Sequence, residues 1–474
     1  MTLEALFSLE KDDELLSFRF AYDGFLMWPF IRFPLFLEAL AVEHGFRVLE
    51  PIRRFSTYRT LKYLIQSWVE NPLRMKGPSD ILLFGSTAGV SVLRNGKWFG
   101  RVNDYYALLE EERTVVIDKS QDREFKRPRT PRRIAAQDWI SIRAEVGRLF
   151  MGQNSKDKTR IDQFIAYLRD KIPQTLDDSV WSYLAETLKR VGGRLVGLHN
   201  GYRRLFDRLR PTLVLLEDAS YGSEAYLVKW AKDAGIITAE IQHGLIVPSH
   251  HAYRFGNGLF ASTDYGRYLP DFLLTYGSFW SNNARTPSEK IVIGNAHLTE
   301  STRGWTKSVG RDHRPTMIII SQPDVVDHLT SLAMDFSREW GSRGHIIYRL
   351  HPTEVPHRND YSALEERSNI TISDAGDIYD LLRQADGVIG SSSTVLFEAV
   401  GFRIPVYVHD NPGSRLYVPL NFGRWFKTAR ELMSLMETTD PSPPDPALYW
   451  APEWQANYRR FLSERIFKPR EVSS

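Results

Sequence analysis

Residues 211–244, PTLVLLEDASYGSEAYLVKWAKDAGIITAEIQHG, restrict the possible folds more than any other stretch. Leu213 to Leu216 is an apolar run of strand length. Two carboxylates, Glu217 and Asp218, close it, and the small residues Ala219, Ser220 and Gly222 follow. A helical pattern over 223–233 puts Ala225, Leu227, Val228 and Ala231 on one side, and Gly235 suits the position just past a helix end. A second apolar run over 236–241 then leads into Gln242-His243-Gly244. Strand, crossover helix and strand imply parallel pairing, with helices covering the sheet. Ligands of such sheets bind beyond the carboxyl ends of the strands. Glu217, Asp218 and His243 are therefore expected on one edge, either as groups of a catalytic crevice or as ordinary polar strand ends.

The flanking chain repeats the same alternation. Residues 1–77 read as a helical extension, apolar and aromatic but interrupted by Asp23, Arg32 and prolines. Within 47–76, Arg53, Arg54, Arg59, Lys62, Arg74 and Lys76 alternate with Phe55, Tyr58, Tyr63 and Trp68. That stretch is expected either to contact an inner-membrane surface or an acidic acceptor, or to pack as a helical hairpin with a solvated basic face. ILLFGSTAG (81–89) is a buried strand feeding a turn, with no GxGxxG or P-loop after it. A strand over 113–118 precedes the basic loop 119–133, which would hold a polyanionic acceptor or simply be solvated. Helices fill 135–210, strands end near 280 and 297, and 299–314 reads as a linker. A second α/β half follows, with strands at 316–320, 345–350, 387–389 and 405–408 and a last helix at 454–467. The expected fold is α/β and GT-B-like: two Rossmann-like domains facing a crevice, with a helical N-terminal extension. The expected division is extension 1–77, N-terminal (acceptor) domain 78–300, C-terminal (nucleotide-donor) domain 315–440, and a C-terminal helix crossing back over 447–474.

Composition removes several alternatives. The chain of 474 residues has no cysteine, which excludes disulfides, thiolate metal sites and a cysteine nucleophile. A net charge of +3, with only short basic clusters, argues against a nucleic-acid partner. His250 and His251 are adjacent rather than four apart, and Asp324 and Asp327 are too widely spaced for an Asp-x-Asp pair, so no metal is expected. No secretory signal or charge-free apolar 18-residue stretch is visible, so the protein is expected to be cytoplasmic, or peripheral on the inner face of the membrane.

Two features of the second half suit an anion. Gly390 leads into Ser391-Ser392-Ser393-Thr394 at the start of a helix, where backbone N–H groups and hydroxyls gather. Arg349-Leu350-His351-Pro352 puts an imidazole just past a buried strand, with Pro352 fixing the backbone. EIQHG, YRLHP and IGSSSTVLFEA, in that order on two α/β halves, resemble a bacterial surface-polysaccharide glycosyltransferase group. That group includes capsule polysaccharide transferases, polysialyltransferases and Kdo transferases, and the teichoic-acid glycerophosphate polymerases are similar. The resemblance covers about 80–410. It implies that the base is the acidic pair Glu217-Asp218 (with Ala219 where that group has Gly) or the His-Gly histidine, His243. It implies that Arg349, His351 and Ser391 to Thr394 bind the donor phosphate, with Glu398 reaching the ribose or serving the structure. Gln242, Gly244 and Gln322 are expected elsewhere in the crevice. The expected activity is inverting, metal-independent transfer of a sugar, such as sialic acid or Kdo from a CMP donor, to a cell-surface polysaccharide or glycolipid. No cofactor is expected beyond the nucleotide-sugar substrate. A CDP-glycerol or CDP-ribitol polyol-phosphate transferase, or a non-catalytic glycan-assembly protein of the same fold, are the alternatives.

Overall fold

Apolar runs without alternation make strands that must be covered on both faces, and such strands pair in parallel. The computed structural model describes residues 3–44, 55–151, 155–172, 176–307, 314–438 and 445–467, and it contains two such sheets. The first is built from β1 (Ile81–Ser86), β4 (Thr114–Lys119), β5 (Ile134–Ala136), β6 (Leu213–Leu216), β7 (Ile237–Ile241), β8 (Phe272–Thr275) and β9 (Glu289–Val292). Between β1 and β4 the hairpin β2 (Val90–Arg94) and β3 (Lys97–Gly100) stands apart. The first sheet runs β5-β4-β1-β6-β7-β8-β9, with every pair parallel. The second contains β10 (Thr316–Ile320), β11 (His345–Arg349), β12 (Ile370–Ser373), β13 (Gly387–Gly390), β14 (Val406–His409) and β15 (Arg424–Phe426). Its order is β12-β11-β10-β13-β14-β15, again all parallel.

Both sheets start in the middle, grow to one side, then return to the other side of the first strand. The reversals fall at β1/β6 and at β10/β13, the topological switch points where a doubly wound sheet opens a crevice. The architecture is GT-B-like, two Rossmann-like α/β halves. The βαβ unit read from 211–244 is present, with helix Ala225–Asp233 joining the parallel neighbours β6 and β7.

The N-terminal helices are part of the first core rather than an appendage. Phe7, Trp28, Ile31, Leu35 and Phe36 pack in one apolar cluster with Leu82 of β1, Leu216 of β6 and the long helix Asp178–Leu209. Arg32, which interrupts the apolar run in the sequence, is buried. It pairs with buried Glu10, donates to the Arg254 carbonyl at 2.7 Å and lies 4.3 Å over the Phe255 ring. Residues 45–54, which include Arg53 and Arg54, lie outside the described residues, as do 468–474.

The opposite face of the first sheet is covered from the far end of the chain. Trp454, Tyr458, Phe461 and Leu462 pack with Tyr105 and Tyr106 over Leu83 and Leu215. Just before that helix, Tyr449 and Trp450 join Trp280 of the first half and Phe397 of the second in one cluster. Trp280 Nε1 donates to the Tyr449 carbonyl at 2.7 Å, and Trp450 Nε1 to the Phe397 carbonyl at 2.9 Å. Among the described residues no helix is long and apolar enough to cross a membrane.

Candidate active site

The carboxylates after β6 diverge, as adjacent residues leaving a strand must. Glu217 turns toward β1, where the Ser86 N–H and Asn103 Nδ2 both donate to Oε2, at 2.8 and 3.1 Å. Two glycines leave room for this carboxyl. A Cβ on Gly85 would meet Asn103 Nδ2 at 2.3 Å, and one on Gly89 would sit 3.1 Å from Glu217 Oε1. The GSTAG turn after β1 is therefore the cradle of Glu217. Burial, reinforced by Asp218, pushes the Glu217 carboxyl up to about 7, against the pull of Ser86 and Asn103. Asp218 points the other way. Burial and Glu224 raise it to about 6, with Lys119 opposing.

Beneath this turn lies a third carboxyl, which the sequence reading did not single out. Glu240, in β7, is fully buried. Its Oε2 accepts from Ser220 N at 3.0 Å and from the Ser220 hydroxyl, and its Oε1 accepts from the Tyr253 hydroxyl at 3.0 Å. Burial raises it to about 8. It ties the turn that carries Glu217 and Asp218 to the neighbouring strand.

After β7, His243 and Gly244 line a cavity of about 90 Å³ together with Arg101, His297, Thr394 and Glu398. The His243 Nδ1 has no hydrogen-bond partner among the described residues. Burial lowers the ring to about 4, opposed by the Glu217 carbonyl, so the imidazole is neutral at physiological pH. Gln242 is a correction to the expected crevice set. It is fully buried, accepts from Tyr276 N at 2.8 Å and donates to the Gly244 carbonyl at 2.8 Å. Both ends of its amide are used to shape the loop.

The second wall is smaller than the Ser-Ser-Ser-Thr run suggests. Ser391 is fully buried and donates to Asn411 Oδ1 at 2.7 Å. The N–H and hydroxyl of Ser392 both donate to Gln322 Oε1, at 2.8 and 2.7 Å, which ties the end of β13 to the end of β10. Ser393 caps helix Thr394–Gly401 by accepting from Val395 N at 3.3 Å. Ser391 and Ser392 thus hold the loop, and Ser393 and Thr394 are the two that line a cavity. That cavity, of about 280 Å³, also takes in His351, Arg349 and Arg101. Arg349 lines this cavity as expected from the sequence, and its guanidinium donates to Ser373 Oγ at 2.9 Å and to the Ala375 and Gly376 carbonyls. These bonds clamp the 373–376 turn. The His351 Nδ1 lies 2.8 Å from Thr353 Oγ1 and accepts from Thr353 N at 3.3 Å. Neutral imidazole then carries its proton on Nε2, which becomes a donor. Buried Glu354 fixes this loop by accepting from His351 N at 2.7 Å, Ser321 Oγ at 2.9 Å and Tyr361 OH at 2.6 Å.

Arg101 is a second residue that the sequence did not single out. It follows β3 in the first half and lines both the 90 Å³ and the 280 Å³ cavities. Burial works against its charge, but Glu398 first, then Tyr379, Asp377 and Tyr276, outweigh burial, so its pKa is raised and the cation persists. Burial raises Glu398 in turn, with Arg101 pulling it back. A signal for this segment was present: Asn95-Gly96, with φ of 49° and 73°, is the turn of a tight hairpin between short apolar runs. The basic loop 119–133 corrects the other way. Three of its cations are paired locally: Arg129 with Asp118 at 2.7 Å, Arg127 with Asp118 at 2.8 Å and Lys119 with Glu224 at 3.0 Å. Among the described residues no three His, Asp or Glu side chains gather into a cation-ligating group.

No family model matches the chain, and no curated protein matches it in sequence. Solved structures give weak likenesses. A UDP-GlcNAc 2-epimerase from Methanocaldococcus jannaschii is 13% identical over 81% of this chain and 99% of its own, with a TM-score of 0.46. The glycotransferase of kitacinnamycin is 13% identical over 81% and 95%, at 0.42. MurG of Acinetobacter baumannii is 10% identical over 76% and 90%, at 0.39. Likenesses of this strength say nothing about the reaction.

Proposed function

We propose that this protein is a nucleotide-sugar-dependent glycosyltransferase that builds a cell-surface polysaccharide or glycolipid. The observation that carries the reading is the 280 Å³ cavity, where Arg101 of one half meets His351, Ser393 and Thr394 of the other. A cation, an imidazole donor and a helix N-terminus in one cavity suit a phosphate that gains charge as a sugar leaves it. At the carboxyl end of β6, Glu217, near neutrality, acts as the base for the acceptor hydroxyl. Inverting transfer needs no covalent intermediate: the acceptor oxygen attacks as Glu217 takes its proton, and the nucleotide phosphate leaves toward Arg101 and His351. A CMP-linked donor, carrying sialic acid or Kdo, is the leading choice by resemblance of the His-Pro and Ser-Ser motifs. The same groups would serve a CDP-linked polyol phosphate.

The unpartnered Nδ1 of His243 supports a second assignment of the base. The pH profile of turnover separates the two. With Glu217 as base, the rate falls as pH drops below about 7, because only the ionised carboxylate accepts a proton. With His243 as base, the rate holds down to about pH 4. Thermal-shift titration with CMP, CDP, UDP and GDP tests the donor, since a ligand of the native state raises Tm by mass action. Stabilisation by UDP or GDP alone would overturn the cytidine assignment, and no response to any nucleotide would overturn the transferase reading.

A further inference from the structure

Helix Thr57–Val69 is turned inside out for a helix that packs on a protein. Its polar side faces the body: Tyr63 OH donates to Asp138 Oδ1 at 3.0 Å, Arg123 donates to Thr60 Oγ1 at 2.8 Å, and Arg59 pairs with Glu124 at 3.0 Å. Ser67 is its one buried residue. The apolar side faces out. Tyr58, Leu61, Ile65 and Trp68 recur at three- and four-residue steps, and Tyr58 and Ile65 are 76% and 53% exposed. The neighbouring helix Asp138–Met151 extends this surface with Leu149 and Phe150, 69% and 87% exposed. A groove lined by Tyr63, Leu64 and Val146 together with Arg123, Arg148 and Arg190 joins the two helices. Solitary exposed apolar residues need no explanation, but an aromatic and aliphatic row turned outward along a helix does.

The charge around this face is mainly positive, and its carboxylates Glu124 and Glu145 are paired with Arg59 and Arg148. Thr57–Val69 contains Arg59 and Lys62 and no acidic residue. Lys62, Arg74, Lys76, Arg143 and Arg190 are exposed around it. Arg74 stacks 4.2 Å over the Trp68 ring, and Glu145 in the groove is paired with Arg148 at 2.6 Å. A second copy of the chain would set two basic rims against each other.

We propose that this face rests on an anionic lipid bilayer. Tyr and Trp would sit at the headgroup level, Leu, Ile and Phe just beneath it, and the lysines and arginines against the headgroup phosphates. This docking stands on the helix pair alone and does not depend on which nucleotide the crevice takes.

Co-sedimentation of the full chain with vesicles tests it. The protein is expected to pellet with phosphatidylglycerol/phosphatidylethanolamine vesicles and at least tenfold less with phosphatidylcholine vesicles. Ile65→Asp should lower the anionic-vesicle affinity at least tenfold, and Lys62→Glu severalfold, with an unchanged Tm because both sites are exposed. Phe150→Ser on the neighbouring helix repeats the measurement should Ile65→Asp impair folding. Failure of the wild type to pellet with anionic vesicles overturns the proposal. So does equal pelleting by the variants, or a solution dimer that Ile65→Asp dissociates.

Discussion

The two sheets reverse direction in the same way, yet they fill their switch points with opposite chemistry. At β1/β6 the gap holds a carboxyl, Glu217, raised toward neutrality by burial and fixed by a backbone N–H and an amide. At β10/β13 it holds uncharged groups, Gln322 bridging to Ser392, which no pH change in the physiological range will alter. One topology thus gives a wall that exchanges protons and a wall that keeps its shape. The difference lies in two kinds of residue. Gly85 and Gly89 leave space for an acid in the first half, while Ser391 and Ser392 fill the second with hydroxyls.

The sharpest way to break this contrast is Glu217→Gln. Turnover should fall roughly 100- to 10,000-fold, the range for loss of a general base, with donor KM little changed. Steady-state kinetics on a variant of normal Tm would check it, and Asp218→Asn serves as the neighbouring control. The next effect is on stability. Glu240 is raised from 4.5 to about 8, so the folded state holds its proton more tightly than the unfolded chain does. Its contribution is full below pH 4.5 and is lost as pH rises through about 8, on the order of 3–5 kcal/mol in all. Denaturant unfolding from pH 5 to 9 should follow that slope, and Glu240→Gln should flatten it. In the 280 Å³ cavity, His351→Ala or Arg101→Ala should raise donor KM about 10- to 100-fold, the loss of one hydrogen bond to a charged group. Arg101→Lys should recover part of it. Smallest is Ser392→Ala, which should cost about 1 kcal/mol of stability and leave donor KM within about twofold. A large KM effect there would show that Ser392 faces the ligand after all.

Much of this could be read from the chain because parallel strands advertise themselves. Leu213–Leu216 and Thr316–Ile320 are apolar throughout, and the turns after them carry Glu217, Asp218 and Gln322 as expected. Position along the chain does not tell which way a side chain turns. Ser391 and Ser393 look equivalent in sequence, yet one is buried against Asn411 and the other caps a helix at the cavity. Arg101 was hidden for a different reason. It matters through residues some 250–300 positions away, His351 and Glu398, and its hairpin belongs to neither sheet. Glu240 sits inside an apolar strand, where its partner Ser220 comes from the preceding turn.

The Trp280, Phe397, Tyr449 and Trp450 cluster has a mechanical consequence. Trp280 comes from the first half, Phe397 from the second, and Tyr449 and Trp450 from the returning segment, so one aromatic cluster ties three parts of the chain together. Arg101 lines one cavity with Trp280 and Trp450 and another with His351, so the cluster that joins the halves also borders the proposed phosphate site.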